Sequence, residues 1–175
     1  MRDHLRLELL TPNDIEAALK SRSLVYVPLG TIEWHSHHLP VGFDGLCAHE
    51  LCLRAAEQTG GLVMPPLYFG TGGGHSAFPW TVMSPSEPIR ALLETLLTRL
   101  RDFGVKQVVL YSGHFPEEQV ALIESLARAF SSATFRVDAL APSLAKDSLP
   151  ILGDHAARFE TALMLGLAPE HVFLN

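Results

Sequence analysis

Short, wholly apolar runs alternate along this chain with longer stretches whose apolar positions recur every three or four residues. Leu24 to Leu29 (Leu-Val-Tyr-Val-Pro-Leu) contains no charged or amide side chain and stops at Gly30. That is the pattern of a strand buried on both faces. Gly61 to Phe69 and Gln107 to Tyr111 repeat it, and Thr134 to Leu140 is a weaker fourth candidate. Helical periods lie between these runs. Ile89, Leu92, Leu93, Leu96, Leu97, Leu100 and Phe103 trace one helical face, closed by Gly104 as a C-cap. Val120, Ile123, Ala127 and Phe130 trace the next, and residues 46–59 form an earlier helix that ends at Gly60-Gly61.

The order strand, helix, strand, helix, strand, helix predicts right-handed crossovers and a mainly parallel sheet. Ligands of such sheets gather beyond the carboxyl ends of the strands. The polar clusters fall there. Glu33 to Asp44 follows the first predicted strand, Gly70 to Thr81 the second, and Ser112 to Glu118 the third. Three loops rich in Gly, His and carboxylates therefore share one sheet edge. There is no internal repeat, low-complexity tract or domain linker, so residues 1–175 read as one domain, with Pro142 to Pro150 as a loop.

Composition narrows the classes. At 175 residues, 47% hydrophobic and 18% charged, the chain suits one globular domain with a proper core. A net charge of −6 argues against nucleic acid, which needs concentrated Lys and Arg. The start, Met1-Arg-Asp-His-Leu-Arg-Leu-Glu, is too polar for a signal peptide. No apolar run reaches the roughly 18 residues of a membrane span. A soluble protein with no membrane partner is expected. Cys47 and Cys52 are five apart on a predicted helix and turn away from each other, which predicts no disulfide and a reduced, cytoplasmic setting. The compositional oddity is nine His, whose placement matters more than their number.

The densest cluster is Gly30-Thr-Ile-Glu33-Trp-His35-Ser-His-His38-Leu-Pro-Val-Gly-Phe-Asp44. In extended chain, residues two apart project to the same side, so Glu33 and His35 reach one metal region together. Asp44 returns toward them after the turn offered by Pro40 and Gly42. Carboxylate with imidazole suits Zn, Mn or Fe, and a bridging carboxylate suits a two-metal site. An isolated Glu-x-His is more often a solvated polar loop. Here a buried strand precedes it and further His-bearing loops converge nearby. His114, in Tyr111-Ser-Gly-His-Phe-Pro, follows the third strand beside a glycine that permits close approach. Taken alone, it would simply bond to backbone.

Gly153-Asp154-His155-Ala-Ala-Arg-Phe-Glu160-Thr161 opens the last helical segment, with Asp154 as a candidate N-cap. His155 then sits in the first turn, where the helix's positive end favours a neutral imidazole suited to proton transfer. Glu160 falls about 140° further round the helix, so separate roles are more natural for the two. The loop Gly70-Thr-Gly-Gly-Gly-His75-Ser76-Ala-Phe-Pro-Trp80-Thr81 lacks the Lys of a phosphate loop and the spacing of a dinucleotide fingerprint. It reads as a mobile substrate wall, with His75, Ser76 and Trp80 as candidate contacts and Phe115 beside them; the plain alternative is a surface turn.

These segments, in this order, resemble the creatininase (creatinine amidohydrolase) family. Pro28-Leu29-Gly30-Thr31-Ile32-Glu33-Trp34-His35 and His38-Leu39-Pro40-Val41-Gly42-Phe43-Asp44 match its first motif. His75-Ser-Ala-Phe78-Pro79-Trp80-Thr81 matches a second, with Trp80 where Gly is usual, and Gly113-His114 matches a third. Asp154-His155-Ala156-Ala157-Arg158-Phe159-Glu160-Thr161 matches the last, with one residue fewer between Asp and His. The resemblance implies a three-layer α/β/α sandwich, often assembled as hexamers, that hydrolyses a C–N amide or cyclic amide bond of a small molecule or peptide. It implies one or two divalent metals (Zn, Mn or Fe) on Glu33, His35, Asp44 and His114, with Asp44 as the bridge. It implies His155 as the proton donor after attack by a metal-activated water, and Glu160 as ligand or acid/base. Creatininase itself has a metal-binding Glu two residues after the third motif's His, where this chain has Pro116; Glu117 or Glu160 is the candidate substitute. His155 follows His114 by only 41 positions, and the tryptophans are Trp34 and Trp80 alone, whereas creatininase encloses creatinine with tryptophans in that later stretch. Creatinine is therefore not the expected substrate. A second reading is a degenerate member that binds a metabolite or protein partner without turnover.

Overall fold

The computed structural model describes residues 2–145 and 154–174. Four strands, β1 (Leu24–Leu29), β2 (Leu62–Val63), β3 (Gln107–Ser112) and β4 (Arg136–Leu140), form one sheet in the order β2-β1-β3-β4, every pairing parallel. All six residues of β1 are buried. Successive side chains of a strand point to opposite faces, so β1 serves two cores. Val25, Val27 and Leu29 join Val108, Leu110 and Val137 under α3 (Ser86–Asp102) and α4 (Glu117–Phe130), with Leu19 of α1 (Pro12–Ser21) against the same cluster. Leu24, Tyr26 and Val109 face Cys52, Leu53 and Ala56 of α2 (Phe43–Thr59). Met164 of α5 (Arg158–Leu167) then packs on Phe43 and Cys47 of α2. The result is the expected three-layer sandwich. Both cysteines are buried and free, as expected. Among the described residues, no helix is long and apolar enough to cross a membrane.

Several boundaries differ from the sequence reading. The second strand has two ladder residues rather than the span 61–69, because Pro65 and Pro66 carry no N–H. The chain nevertheless follows β1 onward: Leu67 N–H donates to Pro28 O at 3.1 Å, and Gly30 N–H donates to Leu67 O at 2.8 Å. The fourth strand begins at Arg136, since residues 132–135 close a turn through Ser132 N–H on Phe135 O. Helix α1 had no counterpart in the periodicity because none of its residues is buried. Its signal was the capping box Thr11-Pro12-Asn13-Asp14, where each end's side chain accepts from the other's backbone N–H. Of the predicted loop 142–150, Pro142–Ala145 is a 3-10 turn and 146–150 lie outside the described residues, as does Gly153.

Two differences move site residues. Helix α2 starts at Phe43, so Asp44 stands in its first turn rather than on a loop. Helix α5 starts only at Arg158, with Ala157 at the N-cap position. Asp154 and His155 thus precede the helix. Asp154 still caps it from a distance, its Oδ2 accepting from Phe159 N–H at 2.6 Å. His155 receives no first-turn helix dipole.

Candidate metal centre

The register of β1 on β3, Leu24 opposite Gln107 through Leu29 opposite Ser112, brings the two strands to the same edge. Gly30 and Gly113 follow immediately, and both are required by close approach. A Cβ on Gly30 would lie 2.2 Å from Gly45 N, and one on Gly113 would lie 2.2 Å from Asp44 O. Their absence of side chains lets the first turn of α2 seat against both strand ends. Asp44 is carried there between the loop after β1 and the loop after β3.

Asp44 and four other polar side chains are buried together here, which is unusual unless they are mutually satisfied. Glu33 is 2% exposed, His35 0%, Asp44 2%, His114 4% and Glu160 3%. His114 Nδ1 lies 3.2 Å from Glu33 Oε2 and 3.3 Å from Asp44 Oδ2. His35 Nε2 lies 3.3 Å from Asp44 Oδ1 and 3.7 Å from Glu160 Oε2. The two oxygens of Asp44 therefore face two different histidines.

The opposite ring nitrogens fix the tautomers. His114 Nε2 faces the carbonyl of Thr71 at 3.2 Å, and His35 Nδ1 faces the carbonyl of Glu33 at 3.0 Å. A carbonyl only accepts, so those nitrogens carry the protons. In the neutral rings, His114 Nδ1 and His35 Nε2 are then lone pairs aimed at carboxylate oxygens. Acceptor against acceptor is unfavourable unless a proton or a metal cation lies between. Histidine ligands of metals are held in this way, with the second nitrogen bonded to a carbonyl or carboxylate. Among the described residues, His35 Nε2 and Asp44 Oδ2 are also buried without a hydrogen-bond partner. The donor set fits a divalent metal. Glu33, Asp44 and His114 offer ligand atoms that all lie within 4.8 Å of one another, as do Glu33, His35 and His155.

Electrostatics agree. Burial disfavours the His114 imidazolium, but Asp44 and Glu33 more than offset it and push its pKa up to about 9. Burial works against the Asp44 and Glu33 carboxylates too, yet the facing histidines hold both below their ordinary values. Glu160 is raised to about 7, chiefly by burial. For His155, burial outweighs the bond to Trp34 and lowers the pKa, which leaves the ring neutral near pH 7. The expected neutral imidazole is thus present, with desolvation as its cause rather than a helix terminus.

These shifts predict a pH dependence of the metal-stripped chain. Glu160 and His114 both bind a proton more tightly folded than unfolded. Their contributions are full below about pH 4.5 and 6.5, and vanish as pH rises through about 7 and about 9. A tenfold change in proton affinity is about 1.4 kcal/mol, so on the order of 3 kcal/mol is lost per group. Thermal melts in chelator should show Tm falling from about pH 6.5 to 9, above the range in which His155 and His49, both held below their ordinary values, work the other way, and added metal restoring most at the alkaline end. A Tm that rises over that window would contradict this balance.

The cluster opens into a cavity of about 210 Å³ lined by Glu33, Asp44, His114, His155 and Glu160, with Gly73, His75, Phe115 and Pro116 on its walls. Of the four candidate substrate contacts, His75 and Phe115 face it, while Ser76 and Trp80 are exposed on the loop. Trp80 is 78% exposed and has φ +61, the left-handed region that explains glycine at this motif position. His155 and Glu160 both border this cavity: Glu160 Oε2 accepts from Ala156 N–H at 2.5 Å, and the His155 and His35 ring centroids are 4.4 Å apart.

One residue escaped the sequence reading. Gln119 is 1% exposed; its Oε1 accepts from Thr71 N–H at 3.1 Å and its Nε2 reaches Ser112 Oγ at 3.3 Å. It braces the carbonyl of Thr71 that orients His114. Its signal was position: with Leu122, Ile123 and Leu126, Gln119 occupies the buried stripe of α4.

The creatininase family model, described as creatinine amidohydrolase, matches residues 8–175. Creatinine amidohydrolase of Pseudomonas putida is 30% identical over 95% of this chain, which spans 73% of that relative. The mycofactocin precursor peptide peptidase of Mycolicibacterium smegmatis is 30% identical over 87% of this chain, which spans 61% of that relative. A crystal structure of creatinine amidohydrolase superposes with a TM-score of 0.80 at 28% identity, covering 97% of this chain and 74% of that one. Similar creatininase structures include a Zn–Zn form and a Mn form.

Proposed function

The chain belongs to the creatininase family, and from that premise we propose that it is a metal-dependent hydrolase of a C–N amide or cyclic amide bond in a small molecule or peptide. The observation that carries the reading is the pair of buried imidazole nitrogens, His35 Nε2 and His114 Nδ1, aimed at the two oxygens of Asp44. Glu33, Asp44 and His114 would hold one metal position, and His35 and Asp44, with Glu160 when ionised, would hold a second. The oxygen and nitrogen donors suit Zn, Mn or Fe. When bound, the metal polarises a carbonyl and lowers the pKa of water toward neutrality.

The chain's own groups handle the protons. His155 Nε2 donates to the carbonyl of Trp34 at 2.6 Å, so Nδ1 is the atom left to act. Nδ1 takes a proton from the attacking water and delivers it to the leaving nitrogen. Glu160, raised to about 7, exchanges a proton near neutrality or serves as a ligand when ionised. Phe115 and His75 border the substrate, and Ser76 and Trp80 form its outer rim. A cavity of about 210 Å³ favours a small reacting group, with any peptide remainder lying outside.

The site residues bear on cellular context less directly. Free, buried cysteines support a reduced, cytoplasmic setting. Membership of the family supports assembly as a homo-oligomer, with a hexamer as the family's usual form. Binding without turnover is a second reading, favoured by Pro116 on the cavity wall where creatininase has a ligating Glu.

Elemental analysis of protein purified without chelator tests the metal proposal. At least about one Zn, Mn or Fe per chain is expected for such a ligand set. Less than about a tenth of that, after growth with added metals, would contradict the proposal.

A further inference from the structure

His75 differs from the other histidines at the centre. His35, His114 and His155 each give one N–H to a backbone carbonyl, whereas His75 Nδ1 lies 2.6 Å from a side-chain oxygen, Glu33 Oε1. A carboxylate accepts, so Nδ1 carries the proton and is no ligand atom. The other Glu33 oxygen, Oε2, faces His114 at 3.2 Å. One oxygen is thus committed to His75 and one is left for the metal position. The ring itself is held. It stacks on His155 with centroids 3.9 Å apart and planes 26° apart, and Phe78 meets its edge at 5.7 Å. Phe78 N–H closes the turn by donating to His75 O at 2.9 Å.

We propose that His75 is a positioning residue of the metal centre, orienting the Glu33 carboxylate so that Oε2 alone faces Asp44 and His114; this rests on the metal-centre reading above. Without the Nδ1 bond, the Glu33 carboxylate is free to turn about its terminal torsion, and the position loses its preset donor. Partners of this kind typically change metal affinity by about 10–100-fold.

The test is zinc titration of stripped protein against a competing chelator, for the wild type, His75→Ala and His75→Asn. Asparagine carries an amide N–H near the place of Nδ1. His75→Ala should bind the wild-type number of zinc ions about 10–100-fold more weakly, with an unchanged circular dichroism spectrum, and His75→Asn should recover most of the loss. Wild-type affinity in His75→Ala would overturn the proposal while leaving the metal centre intact. His75→Asn as weak as His75→Ala, with a zinc ion missing, would overturn it in favour of the imidazole as a direct ligand. A wild type that binds no zinc would overturn both readings. Should His75→Ala fail to fold, His75→Asn decides alone: near-wild-type affinity supports positioning, and loss of a zinc ion overturns it.

Discussion

Asp44→Ala is expected to empty the metal centre, while His35→Ala removes mainly one half of it. Asp44 Oδ1 faces His35 and Oδ2 faces His114, each at 3.3 Å, so under the proposed two-metal reading a single truncation would take a ligand from both positions. It also leaves buried imidazoles without a counter-charge. Metal content of Asp44→Ala should fall below about a tenth of wild type, since even supporting residues change affinity by about 10–100-fold. In His35→Ala, the position made by Glu33, Asp44 and His114 stays complete. Elemental analysis of the two variants side by side reads the difference. Equal, partial loss in both would favour a mononuclear site.

His155→Ala is expected to keep its metal and its fold while losing most of its turnover. His155 lies half-buried on the cavity wall, its Nε2 committed to Trp34 O and its Nδ1 without a hydrogen-bond partner among the described residues. Positioned acid–base groups typically contribute about 10²–10⁴-fold to rate, and a loss in that range is expected. His114→Ala should instead lose metal and activity together, because His114 Nδ1 sits between Glu33 and Asp44. The pairing matters because His155 also lies within ligating reach of Glu33 and His35. Loss of metal from His155→Ala would make it a ligand, and full activity would move the proton transfer to Glu160.

Much of this centre was legible in the sequence, for identifiable reasons. Strands buried on both faces read as unbroken apolar runs, so β1 and β3 announced themselves, and the polar residues after them had to meet at one edge. Glu33 and His35 share a side by strand alternation. Other features had no such signal. Gly42-Phe43-Asp44 looks like turn chemistry and so predicts a loop at Asp44, yet Gly30 and Gly113 admit a helix start there. The pattern at Asp154 predicts a helix terminus at His155, whereas the helix begins three residues later, at Arg158. The carbonyls of Thr71, Glu33 and Trp34, which select the histidine tautomers, carry no residue identity for a sequence pattern to reveal. His75 reads as a substrate contact in sequence because nothing local shows Glu33 42 residues away.

The most direct test is a reconstitution assay on one preparation of the protein. Chain stripped by chelator is incubated with a panel of linear, cyclic and peptide amides, then reloaded with Zn, Mn or Fe, in water enriched in oxygen-18. No hydrolysis is expected from the stripped chain. Reloading with about one to two equivalents should release an amine from at least one amide, with the heavy oxygen in the new carboxyl group, as metal-assisted attack by water requires. Full metal occupancy with every amide left intact would contradict the hydrolase account and favour binding without turnover.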